Sequence, residues 1–181
     1  QPEPAIAALI VRALGPARVV LGMAGTPEPT GMLLFATPIL VEGDKVDALR
    51  IHERVARYAG VLSNLPIFER VAAGHGLLSV EPEEGVVRRV PMVASVDGTL
   101  VPAFALELLR VAVRAPVLRL RAREGRVAAL AAGSFVMPTE SDGAIRIHYS
   151  PRNQQRFVSA IDMLQGRVDL DHLAGQIVIE A

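Results

Sequence analysis

Apolar residues occur along this chain in short runs that glycine, proline and charged residues interrupt. Apolar spacing or helix punctuation predicts helices over residues 4–14, 44–58, 65–73, 102–113 and 160–164. β-Branched or alternating runs predict strands over residues 18–23, 33–41, 75–80, 86–96, 117–120, 127–130, 135–137, 144–149 and 177–179. Helices that alternate with short strands indicate one α/β domain over residues 1–181, with a mixed β-sheet covered by helices.

Turn residues predict how some of these strands connect. Residues 81–85 contain proline and glycine and are predicted to reverse the chain, so that 75–80 and 86–96 form a hairpin. Asp97-Gly98 predicts a second tight turn. Pro38 lacks a backbone donor and therefore places its strand towards a sheet edge.

Capping residues mark the ends of two helices. Ser159 is predicted to cap the helix over 160–164, and Gly166 to end it. Ser63 or Asn64 is predicted to cap the helix over 65–73. These capping signals indicate where a helix begins or ends and nothing about how the helix packs.

Composition excludes several classes of protein. With 51% hydrophobic and 21% charged residues, the chain is expected to fold. Its 19 basic and 19 acidic residues cancel, so no overall positive field attracts nucleic acid. The absence of cysteine excludes disulfides, thiolate metal sites and cysteine nucleophiles. The apolar runs are shorter than the ~20 residues that span a bilayer.

The sequence contains no complete motif for catalysis. Gly74-His75-Gly76 is a poor phosphate loop because it follows a predicted helix and enters a strand, the reverse of the required order. Ser134 lacks the second glycine of a nucleophile elbow, and the four histidines show no metal-ligand spacing. The chain is therefore predicted not to be an enzyme and to hold no cofactor or metal.

Arginine supplies nearly all of the basic residues, and Arg88 and Arg89 are adjacent on a predicted strand. Because side chains alternate along a strand, these two arginines must point to opposite faces. One of them could form an ion pair or contact an anion while the other stays solvated. An ordinary salt bridge is the favoured interpretation.

An ordered series of turns, strands and helices resembles the CHASE type 2 domain, an extracellular sensory module of bacterial adenylate cyclases, histidine kinases, diguanylate cyclases and serine/threonine kinases. The resemblance covers about residues 17–179. It rests on Gly74-His75-Gly76-Leu77-Leu78, Glu84-Gly85-Val86-Val87-Arg88-Arg89-Val90-Pro91, Asp97-Gly98, Val101-Pro102-Ala103-Phe104-Ala105-Leu106-Glu107, Asp142-Gly143-Ala144-Ile145-Arg146-Ile147-His148-Tyr149, Ser159-Ala160-Ile161-Asp162-Met163-Leu164 and Leu173-Ala174-Gly175-Gln176-Ile177-Val178-Ile179.

The resemblance implies a signal-input domain on the periplasmic or extracellular face of the bacterial cytoplasmic membrane. It implies a parent protein with flanking transmembrane helices, a cytoplasmic output domain, a homodimeric state and a small-molecule ligand of unknown identity. The chain is accordingly expected to be a truncated piece, cut at its N-terminus and before the C-terminal transmembrane helices. The alternatives are a small-molecule enzyme whose site assembles only in three dimensions, and a constitutive dimerisation module.

The candidate ligand-binding residues are Arg88, Tyr149, Arg152, Arg156 and Ser159. The last four flank or lie within residues 150–157, the most polar irregular stretch next to a predicted strand end. Such loops favour ligand contacts in α/β domains. We therefore expect this stretch to border the sensory surface.

Overall fold

The computed structural model describes residues 18–32, 34–43, 45–169, 171 and 173–179, with only the backbone of 45–49. The helix predicted over 4–14 lies outside the described residues. The described helices are α1 (Lys45–Arg54), α2 (Pro66–Glu69), α3 (Phe104–Ala112) and α4 (Ala160–Leu164), with a 3₁₀ turn at Gln154–Arg156.

Short strands make up most of the regular structure, in agreement with the predicted α/β class. The described strands are β1 (Val20–Thr26), β2 (Ile39–Glu42), β3 (Ala56–Tyr58), β4 (Gly60–Leu62), β5 (Gly74–Leu77), β6 (Arg89–Pro91), β7 (Val93–Val96), β8 (Thr99–Pro102), β9 (Leu118–Arg123), β10 (Arg126–Ala132), β11 (Phe135–Pro138) and β12 (Ala144–Arg146).

These strands pair in four small sheets, of which three mix parallel and antiparallel neighbours. The strand orders are β4-β1-β5, β11-β10-β9-β2, β12-β6 and β3-β7-β8. β1 runs parallel to β5 and β2 parallel to β9, whereas β9, β10 and β11 are antiparallel. The edge position predicted from Pro38 is confirmed, since β2 begins directly after it at the edge of its sheet.

The predicted hairpin across residues 81–85 is wrong. β5 pairs in parallel with β1, whereas β6 pairs with β12 and β7 with β8. The reversal at this turn is limited to one bridge between Glu83 and Val86. β5 and β6 therefore pair with strands far away in sequence, which a turn motif does not encode, whereas β7 pairs with the adjacent β8.

Several element boundaries also differ from the prediction. The helix predicted over 44–58 ends at Arg54, with residues 56–58 forming β3, and the helix predicted over 65–73 ends at Glu69. Residues 177–179 form no strand, because their apolar side chains are exposed and no described strand pairs with them. Leu65, not Ser63 or Asn64, is the N-cap of α2. The Asn64 side chain instead donates a 2.9 Å hydrogen bond to the Gly22 carbonyl.

Contacts divide the chain into two units, residues 1–147 and residues 148–181. The first unit contains all the described sheets and two apolar clusters, one around Ile51, Leu106 and Leu130 and the other around Met23 and Val61. The second unit contains the 3₁₀ turn and α4, and none of its described residues is buried.

Candidate functional site

Four of the predicted ligand-binding residues lie in the second unit and are exposed. The Tyr149 side chain is 68% exposed, and the Arg152 guanidinium lies 5.1 Å from the centre of the Phe157 ring. Arg156 ends the 3₁₀ turn, and the Ser159 hydroxyl caps α4 by accepting from the Asp162 amide. The capping role of Ser159 is confirmed, while a ligand role for these residues stays a prediction.

Arg88 belongs to the first unit, as does its neighbour. The Arg88 side chain is exposed, and its carbonyl accepts a 2.9 Å hydrogen bond from the Ile147 amide. Arg89 lies in β6, and its Nη2 is 2.6 Å from Glu140 and 2.7 Å from Asp142. The ordinary salt bridge favoured from the sequence is therefore confirmed for Arg89.

Residues 140–143 form a tight loop that we call the acidic turn. The Gly143 amide donates to the Glu140 carbonyl at 2.9 Å, and Gly143 has a φ of +81° that favours glycine. The Ala144 amide donates to the Asp142 carboxylate at 3.1 Å. The Ser141 carbonyl accepts from the Val127 amide on β10. Backbone bonds thus fix the acidic turn against β10 and β12.

The electrostatics of the acidic turn favour ionised groups. Burial alone would raise the pKa of Asp142, but hydrogen bonds from Arg89 and from the Ala144 amide together hold that pKa below its usual range. Hydrogen bonds to Asp142 and Glu140 correspondingly raise the pKa of Arg89. Asp142 and Arg89 therefore stay charged across the physiological pH range.

Asp142→Asn is expected to lower the free energy of unfolding at pH 7 by up to about 1 kcal/mol, since the pair is partly exposed. The folded pKa of Asp142 lies below that of an unfolded aspartate, about 3.9, so the carboxylate stabilises the fold above that pH. This contribution is lost as the pH falls through the folded pKa. Urea unfolding at pH 7 and near pH 2 measures the difference.

The control for this pH series is Asp97→Asn, which alters an exposed carboxylate that has no ion pair among the described residues. It is expected to leave stability unchanged at both pH values. A loss in Asp142→Asn that persists unchanged at the acid end would contradict the assignment of the ionised carboxylate as the stabilising form.

A cleft of about 480 Å³ lies beside the acidic turn, and we call it the polar cleft. All of its lining residues are polar or charged: Arg50, Glu53, Arg54, Ser141 and Asp142. Three of them come from the C-terminal half of α1 and two from the acidic turn. The volume falls in the range that holds a small molecule.

The Arg50 side chain lies against Gly125. Gly125 occupies the turn between β9 and β10 with a φ of +71°, a conformation that favours glycine. A Cβ at this position would lie 2.8 Å from Cδ of Arg50. The aliphatic part of Arg50 therefore packs directly against the Gly125 backbone, which limits its freedom at the cleft.

The polar cleft was not predicted from the sequence. The spacing of Arg50 and Arg54 was a usable signal, because residues four apart share one helix face. No sequence pattern, however, indicates that this face lies near Ser141 and Asp142, about ninety positions further along. That proximity follows from tertiary packing.

A second group of charged residues is buried in the first unit. Glu107 on α3 is fully buried, and Arg110 donates to both of its carboxylate oxygens at 2.9 and 2.7 Å. Thr37 donates to the same carboxylate at 2.5 Å, and Arg110 also binds the carbonyls of Ala73 and Ala115. Every oxygen of this carboxylate has a partner, which is the requirement for burying a charge.

Gly74-His75-Gly76 lies in strand β5 next to this group, where the sequence predicted a strand from His75 onward. The His75 Nε2 lies 2.5 Å from the Glu69 carboxylate, and both side chains are buried. A Cβ on Gly74 would collide with the Glu107 carboxylate. The His75 Nε2 and the Glu69 Oε2 thus lie at ion-pair distance, although neither atom makes a hydrogen bond of good geometry within the described residues.

The family model of the CHASE2 domain matches residues 6–179, which is nearly the whole chain. The chain belongs to the CHASE2 domain family. CHASE2 is a family of sensory domains that are not catalytic by themselves. The resemblance seen in the sequence is thereby confirmed. No curated protein and no solved structure matches this CHASE2 domain.

The described part of the CHASE2 domain offers no group of three or more acidic or histidine side chains suited to a metal ion. Its longest described helix has ten residues, and no described helix is long and apolar enough to cross a membrane.

Proposed function

We propose that this CHASE2 domain is the extracytoplasmic signal-input domain of a bacterial transmembrane receptor that regulates a cytoplasmic cyclase, kinase or similar output domain. The match of the family model over residues 6–179 carries the proposal, because the family is one of sensory domains. The proposal includes flanking transmembrane helices, a homodimeric parent protein and a location on the periplasmic or extracellular face of the membrane.

Signal input requires two states of the receptor that a stimulus favours differently. A ligand shifts such an equilibrium only by its difference in affinity for the two states. To change the populations of the two states from 1:99 to 99:1, a ligand must bind one state about 10⁴-fold more tightly than the other. A smaller ratio of affinities shifts the populations less and gives a graded response. The polar cleft supports the proposal, since it offers charged groups and a volume of about 480 Å³ to a small ligand.

The location is testable because the domain has no cysteine. Ser134→Cys places one thiol at the exposed turn between β10 and β11, with almost no change in side-chain size. We expect a membrane-impermeant maleimide to label this thiol in intact spheroplasts that express the parent protein. Mass spectrometry of the peptide that contains residue 134 measures the labelling.

Ser95→Cys is the matched control, because Ser95 is 5% exposed and the same atom is exchanged, here in a hydroxyl that lies 3.2 Å from Nδ1 of His52. It is expected to be labelled only after denaturation, which shows that the reagent reports exposure. Labelling of Ser134→Cys only after the membrane is permeabilised would place the domain in the cytoplasm and overturn the proposed location.

A further inference from the structure

We propose that the polar cleft binds a small hydroxylated organic anion through a carboxylate or phosphate group, with Arg50 and Arg54 as the anion-binding residues. This inference rests on the proposed function, because the bound anion would be the signal that the domain senses. It names the chemical class of the ligand and a site that differs from residues 150–157, the stretch predicted from the sequence.

The first observation is that two guanidinium groups at the cleft are available. Arg50 and Arg54 are both exposed and line the cleft from one face of α1. Neither makes an ion pair or a side-chain hydrogen bond within the part of the chain that the structure describes. Guanidinium groups bind carboxylate and phosphate through paired hydrogen bonds.

The second observation is that the acid facing these arginines is already neutralised. Both oxygens of Asp142 accept hydrogen bonds, one from Arg89 and the other from the Ala144 amide. Arg89 is shared between Asp142 and Glu140, and Glu140 also pairs with Arg146 at 2.9 Å, so two arginines balance the two carboxylates. Asp142 therefore competes only weakly for Arg50 and Arg54. An incoming anion therefore meets two positive charges and one unpaired carboxylate, Glu53, in the cleft lining.

The remaining lining groups determine what else the ligand carries. Glu53 accepts hydrogen bonds, and the Ser141 hydroxyl both donates and accepts. A ligand with hydroxyl groups beside its anionic group satisfies this set, whereas an apolar molecule does not. Because every lining residue is polar or charged, the cleft selects a polar ligand.

The cleft is also held in place before any ligand binds. Arg50 packs against the Gly125 backbone, and the Ser141 carbonyl is bonded to the Val127 amide on β10. Groups that are already positioned lose less conformational entropy on binding. Stabilisation of the α1 C-terminus by its arginines is a separate role that requires no ligand, and the test must distinguish the two.

Calorimetric titration of the purified 181-residue chain with inorganic phosphate and with malate tests the proposal. We expect saturable binding of both probes that weakens as salt is added. Arg50→Gln/Arg54→Gln is expected to weaken binding by about tenfold or more, since two charge-assisted contacts are lost. Arg50→Lys/Arg54→Lys keeps the charges and should retain more of the affinity.

Arg152→Gln/Arg156→Gln is the matched control, because it also removes two exposed arginines and leaves the cleft intact. It is expected to bind both probes as the unaltered chain does. Loss of binding in this control, with none in the cleft variant, would overturn the proposal in favour of residues 150–157. Unaltered affinity in Arg50→Gln/Arg54→Gln, or no binding of either probe, would also overturn it.

Two further experiments complete the test. The first distinguishes a free anion from a lipid headgroup, and the second distinguishes failure of the binding site from failure of the proposed sensory function. Binding to phosphatidylglycerol vesicles, with no binding of free phosphate or malate, would assign the site to a lipid headgroup and overturn the small-molecule proposal. Probe binding to the chain together with an unchanged output of the parent receptor would contradict the sensory function while leaving the site assignment intact.

Discussion

Replacing Arg110 with methionine is expected to lower the free energy of unfolding by about 3–5 kcal/mol, because it leaves a buried carboxylate without its counter-ion. Glu107 is fully buried, and Arg110 donates to both of its oxygens. The substitution also removes the donors to the carbonyls of Ala73 and Ala115. Urea unfolding followed by far-ultraviolet circular dichroism measures the loss.

Arg121→Met is the matched control, because Arg121 is half exposed and pairs with Glu42 at the surface, 3.3 Å away. Such a pair contributes at most about 1 kcal/mol. The double variant Glu107→Gln/Arg110→Met is expected to recover part of the loss, since no uncompensated charge remains buried. Equal effects of Arg110→Met and Arg121→Met would show that Glu107 finds another partner or is solvated.

The same variants test regulation in the parent receptor. If the CHASE2 domain controls the output domain, Arg110→Met should change the basal output while Arg121→Met leaves it unchanged. An output that is indifferent to both variants, in a parent protein that still reaches the membrane, would contradict the proposed regulatory role.

Local signals in the sequence predicted local structure well. Asp97 and Gly98 adopt φ values of +45° and +75° in the hairpin between β7 and β8, as the Asp-Gly pair indicates. Ser159 caps α4, and Gly166 follows that helix with a φ of +67°. Each of these features depends on two to four adjacent residues, so the sequence contains what determines it.

Long-range pairing could not be predicted in the same way. Val20 of β1 lies opposite Gly74 of β5, and Ile145 of β12 lies opposite Val90 of β6. An apolar run shows that a strand needs a partner but not which partner it takes. For that reason residues 75–80 and 86–96 suggested a hairpin, although β5 and β6 pair with strands about fifty positions away and β7 pairs with β8.

The candidate sites also depend on contacts between distant segments, which local sequence does not reveal. Residues 150–157 were predicted to border a ligand site because they are polar and irregular within one continuous stretch. The polar cleft combines two segments whose residues look like an ordinary solvated helix face and an ordinary turn. Likewise, Glu107 follows Leu106 on an apolar helix and gives no sign in the sequence that it is fully buried. Only the packing of α3 against β5 places it there.

Gly76→Ala is expected to destabilise the domain by about 3 kcal/mol, at the upper end for adding one methyl group to a packed interior. A Cβ on Gly76 would lie 2.5 Å from Cα and 2.7 Å from the amide nitrogen of Phe104. These are backbone atoms at the start of α3, so no side-chain rotation relieves the contact. β5 and α3 would have to move apart, and thermal or urea unfolding measures the cost.

Gly98→Ala distinguishes this steric effect from the general effect of removing a glycine. Nothing lies within 4 Å of a Cβ on Gly98, so its cost comes from the positive φ alone and should be about 1 kcal/mol. Gly76 is absent from the glycines with positive φ, so its cost must come from contact with α3. Equal losses in the two variants would show that β5 does not pack as closely against α3 as the structure has it.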